Sequence, residues 1–413
     1  MLAMIDRSMT SGRAKAAALA MLAIYLVTTV VWLATTHRLI DAFHQPLGGD
    51  FIIFYSASSL TLHGHAAMAF DPQALLAVER AVIPGVREGL KWCYPPTFQL
   101  LIAPLALAPF PVAYGLFVAA GLIPYLLLIQ MIRPGRVSLL MSGAFPGAFV
   151  NAWQGQNGFL TTSLMGFGLI SIDRRPWLAG AMLGLLVYKP QFGILLPVLL
   201  IGTGRWKSAL AAALGGAAFI GLSLLVLGPG PWLAFFRTLP DVSAALSAGR
   251  LPWSKIASIF VAARWLGAPP GLAYFLQGLM AVLVASATLL AWRRPGPHGP
   301  KVGLAVLATF LMSPYSFNYD LVLLAIPIAV TLQYGRAAVL PEGTKAALLL
   351  AAFTPMLFLG VAKLTHLQLM PAAILICYCA LFRIVWRCEP ALGHLGRAPE
   401  MRLTAGAAAQ ARS

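Results

Sequence analysis

A series of long apolar runs constrains this chain most, because several approach the roughly 20 residues that an α-helix needs to span a bilayer. Hydrophobic residues make up 60% of the 413-residue sequence and charged residues only 10%, whereas soluble domains carry about 25% charged residues. A single soluble core cannot bury this much apolar sequence. The sequence therefore predicts an all-α polytopic membrane protein, with apolar runs at roughly residues 15–36, 112–131, 137–151, 158–172, 177–201, 208–228, 270–291, 302–313, 318–334, 345–363 and 368–386.

The basic residues indicate how these runs are arranged. The net charge is +17, but lysines and arginines lie in short clusters between apolar runs, which is the positive-inside pattern and not a nucleic-acid-binding one. A single crossing over residues 177–201 would separate Arg174 from Arg205, whereas two short segments meeting at Lys189 and Pro190 keep both on one side. Proline disfavours helix in the residue before it, so a break there is physically reasonable.

This topology predicts about ten full crossings and one broken hairpin, or 10–12 transmembrane segments including short or broken helices. Both termini are expected in the cytoplasm. A single transmembrane domain is expected over residues 1–390, with long extracytoplasmic loops at about 37–96 and 229–269. Residues 391–413 are expected to form a disordered cytoplasmic tail.

Unusual polar residues collect on the face opposite the basic loops. Polar groups are costly to hold at a membrane boundary without partners, so their accumulation on one face suggests a shared polar cavity. A simpler interpretation is that loops are polar. That interpretation explains the long loops, but it explains less well Gln156, Lys189 and Asp320, which adjoin apolar helices directly.

Several of these residues have two possible roles. Asp50 precedes a helical pattern and is either its N-cap or a carboxylate held for chemistry, and the two are compatible. Lys189 is a functional cation or a lysine that reaches to the head groups. Lys255 resembles Lys189 but lies in a long loop, and Asp320 is either a helix cap or part of the cavity.

A series of short motifs runs through most of residues 45–335. The motifs are Gly49-Asp50-Phe51 with Tyr55-Ser56-Ala57, Gly64, Phe70-Asp71-Pro72, Tyr94-Pro95-Pro96 with Pro104-Leu105, Gly155-Gln156-Asn157, Lys189-Pro190, and Ser313-Pro314 followed by Ser316. In their order and spacing they resemble glycosyltransferase family 87, formerly the domain of unknown function DUF2029. The resemblance implies a GT-C fold in a bacterial inner membrane, with an extracytoplasmic active site and a lipid-phosphate sugar as donor. Characterised members are bacterial polyprenol-phosphate-mannose-dependent α-1,2-mannosyltransferases.

The resemblance also implies roles for individual residues. Asp50 matches the acidic residue of the family's Asp-Phe motif and would be the catalytic base. Mycobacterial members carry a histidine pair after their Ser-Pro motif, where this chain has Tyr319 and Asp320. This departure leaves the mannose donor and the acceptor open, and does not contradict glycosyl transfer.

Transfer of a sugar, expected to be mannose, from a polyprenyl phosphate needs a base for the acceptor hydroxyl and groups that stabilise the departing phosphate. With Asp50 as base, one displacement inverts the anomeric centre. The acceptor is expected to be lipid- or glycan-linked. The sequence has no nucleotide-sugar Rossmann signature and no Asp-X-Asp motif, and no cofactor or metal is expected. The remaining expected site residues are Lys189, Gln191 and Lys255 for the donor phosphate, and Trp92, Tyr94, Gln156, Asn157, Tyr319 and Asp320 for the sugar and acceptor.

Two other protein classes share parts of this pattern. A transporter or lipid-linked-glycan flippase also has many spans, broken helices and intramembrane polar residues, but tends to place them at the midplane. A non-catalytic envelope scaffold would not need a lysine between apolar helices. The enzyme interpretation predicts that Asp50, Lys189 and Asp320 converge on one cavity, whereas separate surfaces for the three would remove most of its support.

Overall fold

The computed structural model describes residues 11–87, 89 and 91–387, and over these residues the chain is helical with no β-strand. The expected tail at 391–413 lies outside the described residues. The α-helices are α1 Ser11–Thr35, α2 Phe51–Leu62, α3 Pro72–Val82, α4 Pro96–Ile102, α5 Phe110–Ile132, α6 Arg136–Gly143, α7 Pro146–Trp153, α8 Gly158–Ser171, α9 Pro176–Gly184, α10 Leu195–Gly202, α11 Trp206–Leu227, α12 Gly230–Ser247, α13 Ile259–Trp265, α14 Pro270–Arg293, α15 His298–Met312, α16 Ala325–Tyr334, α17 Thr344–Thr365 and α18 Met370–Arg387.

In the described part of the chain, six helices are long and apolar enough to cross a membrane, namely α1, α5, α11, α14, α17 and α18. Within their most apolar windows only 17% of α1 and 17% of α11 is buried in the protein. A helix that exposes this much apolar surface requires an apolar solvent, which the acyl chains of a bilayer provide. The chain is therefore an all-α polytopic membrane protein, as the sequence predicts.

Shorter apolar helices form the interior between the long ones. α15 is buried from Pro300 to Leu311, and it packs against α14, α16 and α18. The apolar run at 137–151 is not one segment, which corrects the sequence interpretation: α6 ends at Gly143 and α7 begins at Pro146, where proline lacks the N–H to continue the ladder. The two long loops are also largely helical, since they contain α2, α3, α12 and α13.

The helix break at Lys189 is present. Short 3₁₀ segments, Leu185–Tyr188 and Pro190–Phe192, flank Lys189, whose own φ and ψ are −141° and 67°. Gly180 packs against Ser208 and Gly184 against Ala212. Because these contact positions advance in the same direction along both helices, α9 and α11 are parallel. The intervening α10 must therefore run in the opposite direction. The predicted broken hairpin is therefore confirmed.

The basic loops meet at one end of the bundle. Arg205 Nη2 lies 3.0 Å from Asp173 Oδ1, so the hairpin starts and ends on the same side. The Arg293 guanidinium donates to the Gly202 carbonyl at 2.7 Å, and Arg294 lies over the ring of Trp386 at 4.2 Å. The basic loops, which the charge pattern predicted to lie on one side, therefore lie at one end of the folded bundle.

The polar segments meet at the other end, where α9 and α15 finish. The backbone N–H of Ala257 donates to the Ser316 carbonyl at 2.6 Å, and the Gln368 amide donates to the Trp253 carbonyl at 3.1 Å. Asp50 N–H donates to the Gln154 carbonyl at 3.1 Å. Loops that are far apart in sequence therefore assemble one polar end.

Candidate active site

Asp50 occupies the residue before α2, but its side chain makes no capping hydrogen bond to that helix. Its Oδ2 instead accepts a hydrogen bond from Gln156 Nε2 at 2.8 Å. No hydrogen bond to the other oxygen, Oδ1, occurs among the described residues, and the residue is half-buried. Asp50 therefore holds the N-cap position without acting as a cap, which leaves one carboxylate oxygen available.

Two glycines allow the chain to bring Gln156 to Asp50. Gly48 and Gly155 have φ of 75° and 56°, which favour glycine. A Cβ on Gly155 would lie 2.5 Å from Phe51 Cβ, which is too close for any other residue. The turn after α7 therefore packs directly on the chain segment that carries Asp50.

Tyr94 connects Asp50 to the second half of the site. Its hydroxyl donates to Gln156 Oε1 at 3.2 Å. Burial raises the pKa of the Tyr94 phenol, and the Asp320, Tyr188 and Asp50 side chains raise it further. Tyr94 therefore lies close enough to both carboxylates, Asp50 and Asp320, for their charges to affect its hydroxyl.

The second half of the site is a buried ion pair. Lys189 Nζ lies 2.5 Å from Asp320 Oδ1, with exposed fractions of 2% and 0%. Asn157 Oδ1 accepts from the same ammonium at 2.7 Å. The Tyr319 and Phe192 rings lie 5.3 Å and 5.5 Å from Nζ, within the range of cation–π attraction. The structure thus places Asp320 with Lys189 and not only at a helix start.

This pairing bears on the expectation that Lys189 binds the donor phosphate. Its ammonium already has a carboxylate and an amide oxygen as partners, and breaking a buried pair leaves an uncompensated charge. A direct contact with phosphate would require Lys189 to leave Asp320, so the geometry does not favour that role. Gln191 is half-buried in the 3₁₀ segment Pro190–Phe192.

Lys255 has a more open position than Lys189. It is half-buried, and its Nζ lies 3.4 Å from Gln154 Oε1. No carboxylate lies within ion-pair distance of Lys255 in the described part of the chain. The backbone carbonyl of Gln154 also accepts the hydrogen bond from the Asp50 N–H. Lys255 and Asp50 therefore both contact Gln154.

The structure corrects the expected role of Trp92. Only 2% of Trp92 is exposed, because its ring is enclosed by Phe54, Tyr94 and Phe98. It supports the aromatic core behind Tyr94 and does not offer a face to a sugar. Tyr319 is 8% exposed and its ring stacks on Phe317 at 5.2 Å.

Two asparagines belong to the site although neither was among the expected site residues. Asn151 is fully buried, and its amide donates to the Tyr319 carbonyl at 3.2 Å. Both polar atoms of Asn318 and Nδ2 of Asn157 are buried without a hydrogen-bond partner among the described residues, which is uncommon. Asn318 could have been recognised from its neighbours Tyr319 and Asp320, whereas Asn151 ends an apolar run and gave no such signal.

Contacts through Gln156, Tyr94 and Asn157 therefore link Asp50 with Lys189 and Asp320, whereas the shared cavity stays a prediction. The site contains a half-buried carboxylate, amide groups and a partly exposed cation in Lys255, which together suit proton removal from a hydroxyl and charge stabilisation. Among the described residues, no three His, Cys, Asp or Glu side chains are placed to hold a metal ion.

Comparison with known proteins identifies the family. No curated protein and no solved structure matches this chain. The model of glycosyltransferase family 87 matches residues 92–314, more than half of the sequence. Gln156 and Lys189 lie within the matched region, and Asp50 lies outside it but is held by Gln156. On this match the chain belongs to glycosyltransferase family 87, and it is a membrane glycosyltransferase.

Proposed function

We propose that this enzyme transfers a hexose from a polyprenyl-phosphate donor to a lipid- or glycan-linked acceptor on the extracytoplasmic face. Mannose is the first sugar to test, because the sequence resembles mannose-dependent members of the family. The observation that carries the proposal is the Asp50 carboxylate, fixed by Gln156 through one oxygen at 2.8 Å. Its position at the polar end matches a site where a lipid-linked donor and a hydroxyl acceptor can meet.

Asp50 acts as the general base in this mechanism. Gln156 Nε2 holds Oδ2, so Oδ1 accepts the proton as the acceptor hydroxyl attacks the anomeric carbon. The bond from that carbon to the phosphate oxygen breaks as the new glycosidic bond forms. One displacement inverts the anomeric centre, and the phosphate leaves as an anion without an obligatory acid.

Lys255 is the cation best placed for the departing phosphate, because it is half-buried and, within the described ranges, its ammonium has only the Gln154 amide oxygen as a close partner. Lys189 acts as a positioning residue: with Asp320 it fixes Asn157, whose Nδ2 has no hydrogen-bond partner in the described chain. Asn157 and Asn318 are as buried as Trp92, so the half-buried Gln191 is the residue of this group that contacts sugar hydroxyls or phosphate oxygens.

An apolar surface beside the site suits the lipid part of the donor. The segment after Tyr94 is α4 followed by the 3₁₀ segment Ala103–Leu107. Leu101 and Leu107 on it are 47% and 76% exposed. A polyprenyl chain on this surface keeps its phosphate near Tyr94 and Gln156, which accounts for an active site at the end of the bundle.

The test offers purified protein a panel of polyprenyl-phosphate sugars and measures transfer by Asp50→Asn and Lys255→Ala. Asp50→Asn should lower kcat by at least about 10²-fold, the lower range for loss of a general base. Lys255→Ala should raise the KM for the donor about tenfold or more, the equivalent of one charge-assisted contact.

Asp241→Asn is the matched control, since Asp241 is an exposed residue of α12. It should transfer at the wild-type rate. Wild-type kcat in a folded Asp50→Asn variant would refute the base assignment. Failure of every polyprenyl-phosphate sugar to react with the wild-type enzyme would refute the donor class.

A further inference from the structure

A cationic cavity lies at the polar end of the molecule and is formed by residues the catalytic proposal does not use. Its volume is about 870 Å³, within the range typical of ligand sites. The loop after α1 and the segment from the end of α3 line it. Its basic side chains are His37, Arg38, His44, Arg80 and Arg87.

Specific contacts fix the two segments against each other. A Cβ on Gly85 would lie 2.8 Å from Ile40 Cγ1, so the segments pack closely there. The Arg80 guanidinium donates to the carbonyls of Val86 and Arg87 at 3.2 Å and 3.0 Å. The two segments therefore form a fixed bowl whose basic side chains are exposed.

The backbone of the first segment is strained. Arg38, Leu39 and His44 have φ of 50°, 65° and 61°, and in the described chain only one other non-glycine residue, His366, has positive φ. Such conformations are energetically unfavourable for a residue with a side chain and tend to occur where function requires a fixed geometry. Two of these strained residues, Arg38 and His44, present basic side chains to the bowl.

The charge in the bowl is not neutralised by the nearby described carboxylates. Asp41 Oδ1 accepts from the backbone N–H groups of Phe43 and Gln45, and its Oδ2 accepts from Trp32 Nε1 at 3.1 Å. Glu79 is 1% exposed and faces inward. Three arginines and two histidines thus line the cavity without an ion pair among the described residues.

We propose that this bowl binds a phosphate-bearing anion at the membrane boundary. Guanidinium groups match phosphate oxygens in geometry and charge. The loop follows directly on α1, a membrane-crossing helix that ends at Thr35, so the bowl lies where lipid head groups are found. The cavity exceeds the volume of a bare phosphate, which fits a phosphoester carrying a further polar group. This inference does not rest on the proposed transfer reaction.

The experiment measures binding to the full-length protein in neutral detergent by calorimetry. The probes are inorganic pyrophosphate, short-chain phosphatidic acid and, as a neutral comparison, short-chain diacylglycerol. Wild-type protein should bind phosphatidic acid and not diacylglycerol. Binding of pyrophosphate as well would identify the phosphate group as sufficient, whereas binding of phosphatidic acid alone would identify a lipid as the source.

The test variant is Arg38→Gln/Arg87→Gln, because neither side chain makes a hydrogen bond within the described chain. The matched control is Arg237→Gln/Arg250→Gln, which removes the same charge from the other long polar segment. The bowl variant should lose about tenfold or more in affinity, and the control should stay within about twofold.

Equal losses in both double variants, or equal binding of phosphatidic acid and diacylglycerol by wild type, would overturn the proposal. Arg87→Gln alone provides a second variant should the double variant fail to fold. An unchanged affinity in that folded single variant would also count against the bowl.

Discussion

At the residue scale, the pairing of Lys189 with Asp320 most changes how the site is understood. The sequence predicted a helix break at Lys189 because Pro190 follows it, and it predicted that the lysine is functional. It also predicted that Lys189 and Asp320 converge, but not that they form an ion pair, since 131 residues separate the two. Such a pair adds little net stability, but removing one member is costly.

The same limit applies to Asp50 and Gln156. Both were identified as site residues, yet their contact depends on a turn that joins segments 106 residues apart. Local propensity also favoured an N-cap role for Asp50, which the side chain does not perform. Residue identities were therefore predictable, whereas side-chain partners were not, because tertiary packing decides them.

The ion pair gives a prediction about stability. Asp320→Asn leaves the Lys189 ammonium buried without its counter-charge and should cost roughly 3–5 kcal/mol. The double variant Lys189→Met/Asp320→Leu removes both charges and should cost clearly less. Denaturant unfolding in detergent, followed by tryptophan fluorescence, measures the difference.

The exposed pair of Arg205 and Asp173 is the control for this comparison. Arg205→Gln should cost under about 1 kcal/mol, since Asp173 is 54% exposed and water screens the pair. The two residues are coupled if the double variant loses less stability than the sum of the losses from changing Lys189 alone and Asp320 alone. A loss equal to that sum would contradict the coupling. If Lys189 is a positioning residue, the double variant should also keep a donor KM closer to wild type than Lys255→Ala does.

At the element scale, helix breaks and close contacts between segments determine the geometry of the site, and only some of them can be predicted from the sequence. The break before Pro190 was predicted because it reconciled the charges on either side. The break before Pro146 was missed, because the surrounding run is apolar and no charge marks it. The approach of the turn at Gly155 to Asp50 could not be foreseen from a single glycine.

Gly155→Ala tests that approach. The new Cβ would lie 2.5 Å from Phe51 Cβ and 2.6 Å from the Gly48 carbonyl oxygen, at a φ of 56°. We expect a loss of about 1–3 kcal/mol in stability, with a lower kcat because Gln156 moves from Asp50. Unfolding and transfer assays on one preparation measure both.

Gly221→Ala is the control for this substitution. Gly221 lies in α11 with open space around it, so alanine there should be neutral or slightly stabilising. A Gly155→Ala variant that matched Gly221→Ala in stability and kcat would show that the turn tolerates a side chain.

At the scale of the whole molecule, charge distribution predicted the arrangement better than hydropathy did. Hydropathy could not separate one crossing from two over residues 177–201, whereas the requirement that Arg205 stay with Arg174 could. The fold supports this, because Arg205 contacts Asp173 and α9 runs parallel to α11. Which side of the membrane each end faces stays a prediction from the positive-inside pattern.

Cysteine accessibility tests that prediction in intact cells. On a background without native cysteines, Lys207→Cys and Arg174→Cys should both resist a membrane-impermeant thiol reagent, because both exposed positions lie at the basic end. Ala248→Cys, exposed after α12, should react. All three should react once the membrane is permeabilised. If Lys207→Cys reacts in intact cells and Arg174→Cys does not, residues 177–201 must cross the membrane once. Lys189 would then be separated from the face that carries Asp50.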